Sequence, residues 1–443
     1  MTTPNYRHPT MVPPGGPHHL RDLSNAMDYN AAGEPVIRIL NSGSGGSQSN
    51  GAFDAFGRAR MSLPVTLFDS QLRYSKRDDL FAQKLVGSGD VLYNANESSA
   101  SLSVTAASGD KVTRETLRVF AYQPGKSLQI MTTFVFDEGQ TGLTQRVGYF
   151  NDQNGIFFAN IDGVNCIVKR SYVTGSVVET VVPQDDWNID RLDGTTKTAV
   201  VLDATKAQIF FCDIEWLGVG SVRAGFVING NFYVCHVFNH ANVVDTTYMT
   251  TACLPVRYEI ENTAATVVGS TMKQICATVI SEGGYELKGE RRAVGRPVTA
   301  IMNLPTAGTF YPLVSIKLDS SYLDSIAVIK NISMLGVANN GKMQYKLIAN
   351  ATITGGSWTT DTGSLVSYNV TANTMSGGTT ITTGYVGINN QSGQTITLPS
   401  DGGFAYQLER NGLTNTAITY TLAVAAAADG DDAVGSIDWE ELF

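Results

Sequence analysis

The chain has 443 residues, enough for two domains with buried cores, and only 16% of them are charged. Its formal net charge of -9 excludes the basic footprint that general nucleic-acid binding requires, and no run of about 18 apolar residues is present to cross a membrane. Glycine, serine, threonine and valine are abundant while helical periodicity is scarce. This composition predicts an all-β protein with many turns.

The five cysteines lie in apolar runs and never in CxxC spacing. This pattern predicts reduced core thiols and assembly in a cytoplasm. A phosphate-binding loop, a GxSxG elbow and an HExxH motif are all absent from the sequence. We therefore expect neither a cofactor nor a metal ion.

Residues 1–53 are predicted to form an extended arm that ends in a Gly/Ser linker at 43–50. Low hydrophobicity fits an arm that wraps a partner subunit and equally fits one that stays disordered. Residues 54–78 are dense in aromatics and arginines and are predicted to be a docking segment. Its expected anchors and forked hydrogen-bond donors are Phe53, Phe56, Arg58, Arg60, Phe68, Arg73 and Tyr74.

Residues 54–70 read DAFGRARMSLPVTLFDS. They resemble the opening D-A-F-G-R-x-R-x-S-x-P-x-T-L-F-D-S of a family of virion structural proteins from tailed bacteriophages, marine and cyanobacterial phages among them. Further similarities follow at 122–126 (YQPGK), 154–158 (NGIFF), 186–194 (DWNIDRLDG), 213–230 and 277–284. The resemblance covers about 54–290 well and the remainder loosely.

The resemblance implies a mostly β virion component that is assembled in the host cytoplasm, and it brings no catalytic residue. Capsid decoration, head fibre, and tail or baseplate appendage are all compatible with it. The implied partners are other virion proteins. Because virion parts are repeated, we expect a homo-oligomer, with a trimer as the first arrangement to test.

Residues 79–290 are predicted to form a jelly-roll β-sandwich of the concanavalin or laminin-G type. Short runs of β-branched and aromatic residues recur between turn signals at 116–122, 128–136, 145–150, 155–161, 166–172, 254–261 and 273–280. The polar stretch 150–155 predicts an Asx turn, because Asn and Asp side chains hydrogen-bond the backbone two residues on.

Within this domain, residues 208–238 predict a β-meander of three strands joined by two glycine turns. Asn229-Gly230 predicts a type I′ turn, which needs positive φ at both central residues. A three-residue loop at 218–220 places Glu215 opposite Arg223. The second turn sets four further pairs, which are Ile228 with Asn231, Phe226 with Tyr233, Ala224 with Cys235 and Arg223 with His236.

One face of the meander carries a polar constellation, Asp213, Glu215, Arg223 and His236. A salt bridge from Glu215 to Arg223 is one interpretation. A host-glycan groove, with Trp216 or Phe232 available for stacking, is a second.

A third interpretation is a jelly-roll glycoside hydrolase with a Glu-x-Asp-x-Glu pattern. That pattern would fall on Phe211, Asp213 and Glu215, with phenylalanine at the nucleophile position, so a retaining mechanism fails and we expect no enzyme. His236 and His240 would lie about 13 Å apart on one strand, too far to share a zinc ion.

The basic stretch 288–296 is predicted to link the jelly-roll to a second β domain at 291–428, where serine and threonine rise sharply. Glycine-punctuated strands at about ten-residue spacing favour another β-sandwich. Residues 429–443 form an acidic, aromatic tail with Trp439, Leu442 and Phe443 as candidate docking residues. An exposed terminal Trp and Phe predict either a hook that is buried at an interface or a segment folded back on its own domain.

Overall fold

The computed structural model describes residues 63–196, 198–336, 342–387, 394–398 and 405–442, and the backbones of Met27–Tyr29 and Pro35–Ile37. The chain divides into two units, Met1–Met61 and Ser62–Phe443. In the first unit, β1 (Met27–Tyr29) pairs antiparallel with β2 (Pro35–Ile37). Over its described residues the second unit is all-β apart from one 3₁₀ turn at Gln184–Asp186, and it holds two sandwiches.

The first sandwich is the predicted jelly-roll. Its strands are β3 (Val65–Gln71), β4 (Phe81–Val86), β5 (Asp90–Asn94), β6 (Ser99–Val104), β7 (Lys111–Thr116), β8 (Leu128–Val135), β9 (Leu143–Phe150), β10 (Gly155–Ile161), β11 (Val164–Ser171), β12 (Val178–Pro183), β13 (Gln208–Ile214), β14 (Val222–Ile228), β15 (Asn231–Phe238), β16 (Val256–Asn262) and β17 (Ser270–Ser281). They form a seven-stranded sheet, β12-β11-β10-β9-β16-β7-β4, and an eight-stranded sheet, β15-β14-β13-β8-β17-β6-β5, in which β3 also pairs with β17.

The two sheets bury one aromatic-rich core. Phe134, Phe136, Phe158 and Phe226 are all buried, and their ring centroids lie 4.5–5.7 Å from a neighbouring ring. Such pairs contribute roughly 0.5–1.5 kcal/mol each beyond the burial of their area. The Asx turn is confirmed, because Oδ1 of Asn151 accepts from the backbone N–H groups of residues 153 and 154 at 2.9 and 2.8 Å.

The second sandwich begins earlier and ends later than we predicted. Its strands are β18 (Glu290–Gly295), β19 (Met302–Leu304), β20 (Tyr311–Leu318), β21 (Ile326–Gly336), β22 (Lys342–Ala349), β23 (Thr352–Thr354), β24 (Thr359–Thr360), β25 (Val366–Asn369), β26 (Thr374–Ser376), β27 (Thr379–Gly387), β28 (Gln394–Thr397), β29 (Arg410–Asn411), β30 (Thr416–Ala417), β31 (Tyr420–Ala426) and β32 (Asp431–Leu442). The supposed basic linker thus contains a strand, because β18 pairs along β32.

The main sheets of this sandwich have the orders β18-β32-β21-β28, with β19 on β32, and β24-β25-β20-β31-β22-β27. β32 therefore lies inside its sheet, so the separate tail at 429–443 was a wrong prediction, and the alternative of a segment folded back on its own domain is confirmed for Asp431–Leu442. Alternate residues Ile437 and Trp439 of this strand enter the core. The carboxylate of Glu441, fully buried, accepts hydrogen bonds from Ser364 and Leu365 and pairs with Arg292 at 3.1 Å, which is how the acidic segment is accommodated inside.

Candidate functional site

The second hairpin of the meander follows the predicted turn and then departs from the predicted register. Asn229 and Gly230 have φ of 51° and 79°, as a type I′ turn requires. The pairs Ile228–Asn231 and Phe226–Tyr233 are confirmed. Beyond them a β-bulge shifts the register between Ala224 and Gly225, so the pairings predicted for Cys235 and His236 were wrong.

Gly225 permits this bulge. A Cβ atom at this position would lie only 1.9 Å from the carbonyl oxygen of Tyr233. The bulge pairs His236 with Ala224, which is a core residue, so His236 no longer lies on the polar face. His236 is 8% exposed, its ring lies 4.5 Å from that of Phe238, and Nδ1 accepts the backbone N–H of Asn188 at 3.3 Å. We conclude that His236 is a packed structural residue.

The first hairpin is also offset from the prediction. Asp213, not Glu215, lies opposite Arg223. The loop is longer than expected, because Glu215 donates its backbone N–H to Ser221 and Gly220 donates to Trp216, at 3.1 and 2.8 Å. The offset is two residues, so every side chain keeps the face we predicted.

Asp213 is poorly neutralised. Its side chain is 14% exposed, Oδ1 is buried without a hydrogen-bond partner in the described part of the chain, and Oδ2 lies 3.7 Å from Nε of Arg223. Burial raises the pKa of Asp213 to about 6, because desolvation outweighs the attraction of Arg223 and the carboxylates of Glu282 and Glu215 add repulsion. The polar face therefore holds one carboxyl group that is costly to ionise, that of Asp213, and one exposed guanidinium, that of Arg223.

We expect Asp213→Asn to stabilise the protein at pH 8 by roughly 1–3 kcal/mol. The pKa of Asp213 is raised on folding, so the folded state resists ionisation and stability falls as pH rises from about 4 to about 6. The gain should vanish at pH 4 and below, where both states carry the protonated acid. Urea unfolding between pH 4 and 8 measures it, with exposed Asp245→Asn as control, since Asp245 takes no part in the shift of Asp213. A loss of stability at every pH would mean that the Asp213–Arg223 pair is net stabilising.

The structure separates the predicted N-terminal docking residues. Phe68 is 7% exposed and belongs to the jelly-roll core, so its assignment as a docking anchor was wrong: the alternation of β3 turns it inward. Arg73 and Tyr74 follow the strand and are exposed, with the guanidinium carbon 5.0 Å from the tyrosine ring centroid. The remaining candidates, Phe53, Phe56, Arg58 and Arg60, lie outside the described residues.

The predicted C-terminal docking residues are mostly internal. Trp439 is 2% exposed and its Nε1 donates to Oε1 of Glu441 at 2.8 Å. Leu442 packs against a small apolar cluster formed by Val119, Ala121 and neighbours from the second sandwich. Phe443 lies outside the described residues. The assignment of Trp439 to docking was wrong, because a period-two strand buries it.

A polar cleft, which the sequence did not indicate, lies where the two sandwiches meet. We call it the junction cleft. Its volume is about 770 Å³, within the range of about 300–1,000 Å³ that is typical of ligand sites. It is lined by Glu115, Asn151, Asp152, Gln153, Thr250, Thr251 and Arg257 from the jelly-roll and by Ser320, Ser321, Tyr322, Leu323, Asp324, Ser325, Arg410, Gly412 and Asn415 from the second sandwich.

Buried ion pairs form the base of the junction cleft. Glu115, with no exposed side-chain surface, pairs with Arg257 at 2.5 Å and with Arg410 at 2.7 Å. Arg410 also pairs with Asp324 at 2.9 Å, and Arg257 pairs with Asp152 at 2.5 Å. Because Glu115 and Arg257 belong to the jelly-roll and Arg410 and Asp324 to the second sandwich, these contacts hold the two together.

Beside the cleft, strand β16 presents two alternating carboxylates, Glu259 and Glu261, on one sheet face. Arg146 contacts both, at 2.5 and 2.9 Å, and Lys111 contacts both at 3.2 Å. These cations, with Arg257, lower the pKa of Glu259 to about 2 although burial opposes them. A carboxyl group that stays ionised at neutral pH cannot act as the general acid of glycoside hydrolysis.

All five cysteines are unpaired thiols, and burial raises the pKa of each. Within the described ranges no three His, Cys, Asp or Glu side chains are grouped to hold a metal ion. No helix among those ranges has the length and apolar character needed to span a membrane.

No protein-family model and no curated protein matches the chain. Several solved structures resemble it. The endo-β-1,4-glucuronan lyase from Trichoderma reesei is 12% identical, with 48% of this chain and 94% of that chain covered and a TM-score of 0.33. The Bacillus licheniformis β-glucanase is 11% identical, with 48% of this chain and 97% of that chain covered and a TM-score of 0.32. The carbohydrate recognition domain of Emp47p is 7% identical, with 49% of this chain and 94% of that chain covered and a TM-score of 0.30. At such values the similarity concerns the jelly-roll architecture and carries no argument about activity.

Proposed function

We propose that the chain is a non-enzymatic structural component of a tailed-phage virion, docked through its N-terminal arm, with its β domains projecting from the particle. Capsid decoration, head fibre, and tail or baseplate appendage all fit this proposal. The observation that carries it is the opening at 54–70, which resembles a virion protein family and runs directly into strand β3. In this proposal the protein is assembled in the host cytoplasm and functions in the virion.

The attachment of β3 suits a mechanical role. β3 pairs with β17 from Val65–Ser281 to Gln71–Cys276, and Thr278 donates its hydroxyl to the carbonyl of Phe68 at 3.0 Å. Phe68 and Leu72 add apolar anchorage in the core. A force on the arm would therefore load a row of backbone hydrogen bonds in shear, together with a buried aromatic ring.

The exposed pair Arg73 and Tyr74 follows the C-terminal end of β3, whereas the chain enters the strand at its other end. The two ends of this seven-residue strand lie about 20 Å apart, since a strand rises roughly 3.3 Å per residue. We infer two contact regions on the particle in place of one continuous docking segment. The arm supplies the first, and the exposed ring and guanidinium supply the second.

The proposal predicts that a chain beginning at Leu63 folds but no longer joins particles. Its two sandwiches keep every described strand from β3 onward. Particles would be prepared from a host infected with a phage that lacks its own copy of the gene, with the full-length or shortened chain supplied in trans, and the bound protein quantified by mass spectrometry.

The control for this experiment is the full-length chain carrying Tyr74→Ala, an 80% exposed position. It should be incorporated more weakly than the unaltered chain but well above the shortened one. Undiminished incorporation of the chain that begins at Leu63 would refute docking through the arm. Light scattering on the same samples measures the oligomeric state, for which we propose a trimer.

A second candidate function is recognition of a host surface glycan. The junction cleft favours it, because it is a large polar cleft that includes one exposed aromatic ring. The meander face also exposes a ring, Phe232, but there the Asp213 side chain is only 14% exposed and His236 has left the polar face. The two functions are compatible within one particle.

A further inference from the structure

We propose that the junction cleft binds a short neutral oligosaccharide, an inference that rests on glycan recognition being a function of this chain. The cleft has no lining residue in common with the meander on which the sequence suggested a sugar site. Three properties of the cleft support this ligand, which are the rigidity of its walls, its charge, and the hydrogen-bonding groups that it leaves unused.

The jelly-roll wall is fixed by a buried amide. Asn154 is 1% exposed; its Nδ2 donates to Oγ1 of Thr250 at 2.7 Å and its Oδ1 accepts the backbone N–H of Thr250 at 3.1 Å. The same side chain accepts the backbone N–H of Tyr172 at 3.2 Å. The Asx turn at Asn151 therefore cannot shift independently of Thr250, and the wall is formed before any ligand arrives.

The wall from the second sandwich is fixed by Asp319. Its carboxylate accepts the backbone N–H of Ser321 at 2.9 Å and the hydroxyls of Thr360 and Ser367 at 2.7 and 2.8 Å. These bonds lower the pKa of Asp319 to about 2. Tyr322 then donates its backbone N–H to the carbonyl of Asp319 at 2.9 Å, which fixes the backbone that carries its ring. Preformed walls reduce the ordering cost of binding.

The charge of the junction cleft disfavours an anionic ligand. Both guanidinium groups, Arg257 and Arg410, are already paired with carboxylates. Three carboxylates, from Glu115, Asp152 and Asp324, face those two cations. An acidic sugar would meet a net negative surface with no uncommitted cation, so a neutral ligand is favoured.

The unused groups are those that recognise sugar hydroxyls. The side chains of Gln153, Ser320 and Asn415 are exposed and make no hydrogen bond to the described part of the chain. Tyr322 is 49% exposed and offers an aromatic face to the C–H face of a sugar ring. Amide and hydroxyl groups can donate to and accept from sugar hydroxyls, so the cleft combines hydrogen-bonding groups with one aromatic surface.

The test is calorimetric titration of the full-length chain with cellotetraose, laminaritetraose, maltotetraose, mannotetraose, N-acetylchitotetraose and the acidic trisaccharide sialyllactose. We expect one of the neutral sugars to bind and sialyllactose not to bind. Tyr322→Ala and Gln153→Ala should each weaken that binding by about tenfold or more, equivalent to roughly 1.4 kcal/mol. The matched control is Tyr385→Ala, a 76% exposed tyrosine of the second sandwich outside the cleft, which should leave binding unchanged.

Binding that survives both cleft substitutions would overturn the cleft as the site while leaving glycan recognition intact. If no neutral sugar binds at about 10 mM, both the cleft as the site and glycan recognition by this chain would be overturned. Specific recognition would need a tighter affinity than that limit. Selective binding of sialyllactose would overturn the neutral ligand. Incorporation of Tyr322→Ala into particles should be normal, which separates this proposal from docking through the arm.

Discussion

Glu115→Ala is expected to destabilise the protein by about 3–5 kcal/mol, because it leaves two buried guanidinium groups without their common partner. Glu115 has no exposed side-chain surface, and Arg257 and Arg410 are each 3% exposed. Asp152 and Asp324 would still contact these arginines, but both lie toward solvent, with side chains 82% and 40% exposed. They neutralise a buried cation less well than a buried carboxylate does. The buried carboxylate of Glu259 lies 3.8 Å from Arg257, but it is already paired with Arg146 and Lys111.

The measurement is urea unfolding followed by tryptophan fluorescence, since urea leaves ionic contacts unscreened. We expect the variant to unfold in two transitions, because Glu115 links the jelly-roll to the second sandwich through Arg410. Glu286→Ala is the control, since the Glu286–Lys288 pair is solvent-exposed and its loss should not be measurable. Equal effects from the two substitutions would contradict a structural role for the buried network.

A chain that begins at Ser75 is expected to aggregate, whereas one that begins at Leu63 stays soluble. The longer deletion removes β3, exposes the backbone edge of β17 from Cys276 to Ser281, and empties the positions of Phe68 and Leu72 in the core. Loss of a buried Phe alone costs about 3–5 kcal/mol, and an unpaired strand edge invites pairing between chains.

Sedimentation and thioflavin binding of the two shortened chains measure this difference. The single substitution Phe68→Ala in the chain that begins at Leu63 separates the contribution of the buried ring from that of strand pairing, because it removes the ring and keeps β3. It should lower the unfolding midpoint without aggregation. If the chain beginning at Ser75 stayed soluble and kept its unfolding midpoint, β3 would be a peripheral strand and the docking segment could extend to residue 74.

The sequence predicted the features that depend on local alternation. Phe226 and Tyr233 share a face as expected, and so do Asp213 and Arg223, because side chains alternate along a strand and an offset of two residues keeps them on the same face. It failed at the pairs next to the bulge at Gly225, since a bulge depends on close approach of a neighbouring backbone. It also underestimated the loop after Ile214, whose length is set by hydrogen bonds between its own backbone groups.

The C-terminal segment was misinterpreted for a different reason. Its terminal Trp and Phe indicated docking at an interface as readily as folding back on its own domain, although Ile437 and Trp439 already show the period-two spacing of a strand. The partners that neutralise Glu441, among them Arg292 and Ser364, are distant in sequence and gave no local signal. The junction cleft was missed likewise, because Glu115, Arg257 and Arg410 come together only through the fold.

The central position of β32 has a consequence for synthesis on the ribosome. The jelly-roll has all its strands once β17 has emerged, but β18 and β19 wait for residues 431–442 before they can pair, and until then β21 has only β28 on one edge. At about 5–20 residues per second this delay is on the order of ten seconds or more, during which these strand edges have no partner. We expect the nascent second sandwich to depend on a holding chaperone, and its completion to be the slow step in making an assembly-ready protein.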